Sequence, residues 1–301
     1  MCERKTAVTL GSFDGLHKGH MTVIACAFEM QKKYGLSPLV LLFDKHPMLA
    51  LSGKAPDKVL QSSLRDEIIA ETGAEKRIVP FDLVKDMTCR EFFEKILIEK
   101  LNAGGVCCGW NYRFGKNNEG GIDELRALCD EFDVRLKVSK PVDYQGSPVS
   151  STRIRQAVEN GDIPLANALL GREFRYKQTV VDGQHRGRLI GSPTINQRFD
   201  SGFVKPKKGV YASVTIVDGK EYPSVTNIGL RPSFENEDFR SETCILGFSG
   251  NLYGLEIEVR LIDYLRDEVK FESLDKLSAQ IRRDAEKSEE IFKKRGEAAN
   301  V

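Results

Sequence analysis

Apolar residues are spaced in two alternating ways along the first half of the chain. Short unbroken runs at 6–10, 38–43, 77–80, 106–110 and 134–138 predict strands buried on both faces. Between them, 19–33, 62–72, 88–102 and 122–132 have helical spacing, as Phe92 and Ile96 do ahead of Glu99 and Lys100. Such alternation predicts a parallel sheet with helices on both faces, and ligands bound beyond the carboxyl ends of its strands. The period changes after Leu169-Leu170-Gly171: from 174 to 265 there is no long helical pattern. Alternating segments at 209–217 and 222–228 flank Asp218-Gly219, a hairpin signal, and further short strands with Gly and Pro punctuation predict a small antiparallel barrel. A closing helix is expected from Ser273, a candidate N-cap, with Leu274, Leu277 and Ile281 as an apolar stripe packed on the barrel. The expected fold is thus α/β followed by all-β, in two domains at 1–171 and 172–301.

Charge narrows the partners. The 301 residues hold 45 Lys and Arg against 44 Asp and Glu. Cut at Gly171, the first part has 23 basic and 23 acidic residues and the remainder 22 and 21. Neither part has the cationic excess of a phosphate-backbone binder, so nucleic acid is not an expected partner. The longest apolar run, near 38–43, is far short of the ~20 residues that span a bilayer, and the start has no signal-peptide core. A cytoplasmic protein without a membrane partner is expected. Seven cysteines without a Cys-x-x-Cys pair support neither a disulfide framework nor a zinc ribbon, and Cys107-Cys108 reads as buried thiols. The sequence sets no oligomeric state.

Gly11-Ser12-Phe13-Asp14-Gly15-Leu16-His17-Lys18-Gly19-His20 directly follows the first strand and opens the first helix. Glycines let backbone approach an anion, and a helix start offers N–H groups and positive dipole potential. His17 and His20, in a chain with four histidines, can donate to phosphoryl oxygens as charge builds. The bland alternative is a Gly-rich turn with solvated histidines; no third ligand of clear spacing marks a metal site. Far downstream, Ser150-Ser151-Thr152-Arg153-Ile154-Arg155 reads as a capped helix with arginines in its first turn, a second anion site. Two such helix starts in one α/β domain can clamp a nucleoside triphosphate.

These segments resemble the nucleotidylyltransferase superfamily, and more narrowly the FMN adenylyltransferase half of bacterial bifunctional riboflavin kinase/FAD synthetases. The family's Gly-x-Phe-Asp-Gly-x-His-x-Gly-His start is matched from Gly11 to His20, and its Phe-Asp-x-His-Pro segment from Phe43 to Pro47. The Gly-x-Asn/Asp-aromatic-x-Phe-Gly segment is matched from Gly109 to Gly115, and Ser-Ser-Thr-x-Ile-Arg at 150–155. The resemblance implies a Rossmann-like domain in which Gly11, Phe13, His17, His20, Asn111, Ser151, Thr152 and Arg155 surround ATP. No enzyme nucleophile is then needed, since the FMN phosphate attacks the α-phosphate. Lys45 stands where that family usually has proline, and His46 is open to two readings, a cap or a flavin contact.

The second constellation runs from Gly183 to Asn196 and ends in Thr194-Ile195-Asn196. If this end is extended, Thr194 and Asn196 share a face, and two neutral oxygens suit Mg²⁺ whose anionic ligands come from ATP. The alternative is a turn entering a strand with both residues solvated. By strand spacing Glu242 shares a face with Cys244, Leu246 and Phe248, where partial burial suits a general base and an edge glutamate in solvent is the rival. This half resembles the riboflavin kinase module, whose Gly-Arg-x-x-Gly-x-Pro-Thr-x-Asn loop is matched from Gly187 to Asn196. Also matched are Gly209-Val210-Tyr211, Asn227 to Pro232, Leu252-Tyr253-Gly254, Leu265-Arg266 and Lys270-Phe271; Gly247 replaces a common acidic residue. The resemblance implies that Thr194 and Asn196 hold Mg²⁺–ATP and that Glu242 takes the proton of the ribityl 5′-hydroxyl. It also implies that Gly183, Arg188 and Tyr253 approach the nucleotide, with Arg266 and Phe271 on the flavin side. The expectation is a bifunctional enzyme acting on riboflavin, FMN and ATP to give FAD. Its rivals are one live half, a flavin-nucleotide-binding regulator, or nucleotidylyl transfer to another acceptor.

Overall fold

The computed structural model describes residues 5–181, 194–231 and 238–299. The chain packs as two compact units, Met1–Pro56 with Ser62–Ser151, and Asp57–Gln61 with Thr152–Val301.

The first unit is built on β1 (Thr6–Leu10), α1 (Lys18–Tyr34), β2 (Ser37–Phe43), α2 (Pro47–Ser52), α3 (Ser62–Thr72), β3 (Glu75–Val79) and α4 (Phe81–Val84). It continues through α5 (Cys89–Glu91), which runs on as a π-helical stretch, Phe92–Lys100, into β4 (Ala103–Gly109), α6 (Ile122–Glu131), β5 (Arg135–Ser139) and a small hairpin, β6 (Asp143–Tyr144) with β7 (Ser147–Pro148). The five long strands form a parallel sheet in the order β3-β2-β1-β4-β5, the expected Rossmann-like arrangement. Val8, Leu10, Leu39, Leu41 and Val106 face a core shared with Phe92, Phe93, Ile96 and Leu97. Toward α1, the Cys107 Sγ lies 3.7 Å from Met30 Sδ. The pattern places two strands late: β4 by three residues, because Ala103-Gly104-Gly105 carry little apolar signal, and β3 by two, because Glu75, Lys76 and Arg77 lie exposed on the sheet edge. From β1 the chain winds outward through β2 and β3, then returns beside β1 as β4 and winds the other way. The strand order thus reverses between β1 and β4, the switch point beyond whose carboxyl ends open α/β sheets bind their ligands.

The second unit takes in α7 (Ser151–Asn160) beyond its first residue and α8 (Ile163–Leu170). The packing division therefore falls between 151 and 152, ahead of the change in sequence pattern at 171. The reason lies in α8: Asn167 donates from Nδ2 to Leu261 O at 3.0 Å and accepts from Phe174 N–H at 2.7 Å, tying the helix to the barrel. Six antiparallel strands follow: β8 (Phe174–Thr179), β9 (Thr194–Arg198), β10 (Gly209–Val217), β11 (Lys220–Arg231), β12 (Asp238–Ile245) and β13 (Glu256–Arg266). Their order is β8-β13-β10-β11-β12-β9, and the sheet curls until Val181 N–H, just past β8, donates to Asn196 O at 2.8 Å. The hairpin joining β10 and β11 turns at Asp218 and Gly219 with φ of 50° and 75°, the twist that a two-residue hairpin needs. Inside, hydroxyls pair in a chain: Ser213 with Thr226 at 2.7 Å, Thr226 with Thr243 at 2.9 Å, and Thr215 with Ser224 at 2.8 Å.

The closing helix, α9 (Leu274–Ala299), is capped by Ser273 Oγ, which accepts from Lys276 N–H at 3.3 Å. Its expected apolar stripe needs correction. Leu274 is 68% exposed and Leu277 and Ile281 are half-buried, whereas Asp284 and Ser288 are the buried positions. Polar anchoring explains this, since Ser288 Oγ donates to Ser224 O at 2.7 Å and Asp284 binds Arg266. Arg295, near the helix end, bonds both Glu173 and Glu221.

Candidate active sites

The loop leaving β1 is held by its own side chains. His17 caps α1: its backbone is extended, and its Nδ1 accepts from His20 N–H at 3.3 Å. The two imidazoles stack with centroids 3.7 Å apart, and Phe13 lies 5.3 Å from the His20 ring. Gly19 leaves room for this stack, since a Cβ there would lie 3.2 Å from the His17 ring. Phe13 and Leu16 are fully buried at φ of 50° and 41°, a left-handed backbone costly for such residues and stored where the packing over-determines it. Ser151 Oγ donates to Asp14 O at 2.8 Å, so the start of α7 is bound to the same loop. Asn111 is exposed just past β4, the strand paired with β1 through Leu10 and Cys108. Gly11, Phe13, His17, His20 and Asn111 thus follow the carboxyl ends of β1 and β4, and Ser151 is joined to the β1 loop through Asp14. Thr152 and Arg155 follow in α7, where Arg155 Nη1 donates to Thr152 Oγ1 at 3.4 Å.

The loop after β2 is explained locally. His46 caps α2, its Nδ1 accepting from Met48 N–H at 3.2 Å, which is the capping reading of that residue. Asp44 accepts from Phe81 N–H at 2.8 Å, and Lys45 pairs with Asp82 at 2.5 Å. The departure from proline thus supplies an ion pair linking this loop to α4.

In the barrel the site is made by register. Glu242 of β12 stands directly opposite Asn196 of β9 on one side and Asn227 of β11 on the other. Residues directly opposite in an antiparallel sheet share a face, so Asn196, Glu242 and Asn227 form a row across three strands. Two residues along, the row is Thr194, Cys244 and Val225; two residues the other way it is Arg198, Arg240 and Gly229. Thr194 and Asn196 therefore do share a face with Glu242. Asn196 is buried, while Thr194 and Glu242 are half-buried. The reverse face presents Thr243 and Ser241 to the interior. Gly247, just past β12, has φ of 71°, a left-handed backbone that favours glycine at a position where an acid is usual.

At the end of β13, Arg266 makes three close contacts with Asp284: Nη2 to Oδ2 at 2.7 Å, and Nε to both carboxylate oxygens at 3.1 and 3.2 Å. Its guanidinium carbon lies 5.8 Å from the Phe271 ring centre. Arg266 and Phe271 are thus neighbours, with the charge of Arg266 already matched. Tyr253 is exposed on a turn whose next residue, Gly254, donates its N–H to Val180 O at 3.0 Å. Gly183 and Arg188 lie outside the described residues.

Asn227, Arg198, Arg240 and Glu268 were given no role by the sequence reading. Asn227 lies within a matched motif, but strand spacing alone cannot show that it faces Glu242 across the β11–β12 ladder. The six described cysteines are buried thiols, and burial pushes those of Cys108 and Cys129 up to about 12. Among the described residues, no three His, Cys, Asp or Glu side chains cluster to hold a metal.

A family model described as FAD synthetase matches residues 1–153, and one described as riboflavin kinase matches residues 170–292. The bifunctional riboflavin kinase/FMN adenylyltransferase of Listeria monocytogenes is 34% identical over 95% of this chain and 92% of its own length. That of Bacillus subtilis is 32% identical, over 96% and 93%. A crystal structure described as a macrolide-efflux protein from Streptococcus pneumoniae aligns with a TM-score of 0.87, at 31% identity over 96% of this chain and 95% of that one. Among the described residues no helix is long and apolar enough to cross a membrane.

Proposed function

The chain belongs to the family of bifunctional riboflavin kinase/FMN adenylyltransferases, and from that premise we propose which residues serve each of its two ATP-dependent reactions. It phosphorylates riboflavin to FMN, then adenylylates FMN to FAD with release of pyrophosphate.

The observation that supports the kinase assignment most is the register that sets Glu242 between Asn196 and Asn227. The riboflavin 5′-hydroxyl gives its proton to the Glu242 carboxylate while its oxygen attacks the γ-phosphorus of ATP, and the bond to the β–γ bridging oxygen breaks to release ADP. Thr194 and Asn196 offer two hard neutral oxygens on one face of β9, a donor set that fits Mg²⁺ held jointly with phosphates. When bound, the ion offsets phosphate charge. Gly183, Arg188 and Tyr253 are assigned to the same nucleotide, and Arg266 with Phe271 to the flavin. Because Asp284 matches its charge, Arg266 offers the neutral flavin ring a guanidinium plane beside Phe271.

In the first unit an FMN phosphate oxygen attacks the α-phosphorus of a second ATP, and pyrophosphate leaves with the electrons of the broken P–O bond. With Nδ1 accepting from His20 N–H, neutral His17 carries its proton on Nε2, the nitrogen that would donate to a phosphoryl oxygen. His20 has the same role beside it. Gly11, Phe13, Asn111 and Ser151 position ATP; Thr152 and Arg155 are assigned to it on the sequence resemblance. Catalysis there is positioning and charge stabilisation. A functional division at 1–171 and 172–301 and a cytoplasmic location belong to the same reading.

The test is a timed incubation of the protein with riboflavin, excess ATP and Mg²⁺, separating riboflavin, FMN and FAD. FMN rising before FAD is expected. Product from added FMN but none from riboflavin would overturn the kinase assignment, and FMN accumulating without FAD would overturn the first site.

A further inference from the structure

The two ends of the Asn227 amide have contrasting surroundings. Nδ2 donates to Glu268 Oε1 at 3.0 Å, whereas Oδ1 is buried and accepts no hydrogen bond among the described residues. The orientation is dictated by chemistry: a carboxylate only accepts, so the end facing Glu268 must be the NH₂ and the other end the oxygen. Glu268 reaches this position because Gly229, two residues along β11, has no side chain; a Cβ there would lie 2.7 Å from Glu268 Oε1. Buried acceptors are rarely left without a donor. This one belongs to the residue directly opposite Glu242 and on the same face. Two acceptors side by side suit a ligand that presents adjacent donors, which is what the vicinal hydroxyls of a polyol do.

We infer that Asn227 is a substrate-binding residue of the barrel site, its Oδ1 accepting from a ribityl hydroxyl of riboflavin neighbouring the one that Glu242 deprotonates, and that Glu268 is a positioning residue holding the amide in that orientation. The inference rests on the assignment of Glu242 as the base of the kinase site. The ring of the flavin gains nothing from Asn227; only the polyol chain does. Riboflavin and lumiflavin, which has a methyl group in place of the ribityl chain, should therefore respond differently to its removal.

The experiment measures riboflavin phosphorylation by the full chain, with lumiflavin as competitive inhibitor. Asn227→Ala should raise the riboflavin KM roughly tenfold, the scale of one lost hydrogen bond with a buried partner, and leave the lumiflavin inhibition constant and FMN-to-FAD conversion unchanged. Asn227→Ser, a smaller perturbation of the strand, should show the same selectivity, and lumiflavin inhibition reports that the barrel is folded in either variant. Glu268→Gln, which can donate as well as accept, lets the amide turn and should raise the riboflavin KM by about threefold, with no further effect in the Asn227→Ala background. An unchanged riboflavin KM in Asn227→Ala, equal weakening of riboflavin and lumiflavin, or a full Glu268→Gln effect in the double variant would each overturn the inference. Glu242→Gln separates the two levels. If it phosphorylates riboflavin normally, the underlying site assignment fails; if it is inactive while Asn227→Ala behaves as wild type, only the present inference fails.

Discussion

The two units build their sites by opposite routes. In the first, one contiguous stretch from Gly11 to His20 holds most of the proposed site, because in a parallel sheet a strand's carboxyl end passes directly into a loop and a helix start. The His17–His20 stack and the cap that holds it are contacts within one turn of chain. In the second unit Asn196, Glu242 and Asn227 come from three strands and are adjacent only because two ladders share a register. A one-residue slip in either ladder would turn the row to the other face. Local damage should therefore be confined in the first site, whereas the second depends on the integrity of the whole barrel.

The largest expected effect is at the proposed base. Glu242→Gln keeps the shape of the row and should lower riboflavin phosphorylation by about 10³-fold, within the usual range for a general base, while FMN adenylylation persists. Chromatographic separation of the flavins decides it; loss of both activities in a folded variant would end the comparison. Second in size, replacing His17 and His20 together with alanine should slow FAD formation by roughly 10²-fold or more as two charge-stabilising donors disappear. FMN should then accumulate at an unchanged rate.

A smaller, purely energetic test concerns the barrel. Arg266→Met leaves the buried carboxylate of Asp284 without its opposite charge, though Gln280 still donates to it, and should destabilise the second unit by about 3 kcal/mol in a denaturant titration. Adding Asp284→Leu should restore much of the loss, because the penalty comes from an unpaired charge and not from a missing contact. The smallest effect is a pH dependence. Arg295 beside Glu221 holds that carboxylate below its ordinary value of 4.5. A depressed carboxylate stabilises the fold fully above its unfolded value, and the contribution fades as pH falls below 4.5 toward the folded value. Because Glu221 is partly exposed, Glu221→Gln should cost under about 1 kcal/mol at neutral pH, and the difference from wild type should shrink in acid.

Much of the first unit was legible. The inner strands β1, β2 and β4 and the four main helices follow the apolar pattern most closely, since buried parallel strands must be apolar on both faces. The lag at β3 arises because an edge strand can expose Glu75, Lys76 and Arg77 without loss. The barrel was legible as strands and as the Asp218-Gly219 turn, but its interior was harder to foresee. Ser213, Thr215, Ser224, Thr226 and Thr243 are buried although polar, so alternation of hydrophobicity does not mark the inward face. The closing helix was misjudged for the same reason. Its buried positions, Asp284 and Ser288, are polar groups whose partners lie on distant strands, and Leu274 is exposed.

By itself the sequence determined the two-part order of elements, the caps and turns, and which side chains could serve phosphate chemistry, because each depends on neighbours within a few residues. Tertiary structure alone decided that α7 and α8 pack with the barrel, that Arg266 is charge-matched by Asp284, and that Asn227 stands beside Glu242. Those outcomes depend on strand order and register. These are settled by the pairing of backbone groups across the sheet and the burial of whole faces, and no local stretch of the chain encodes them.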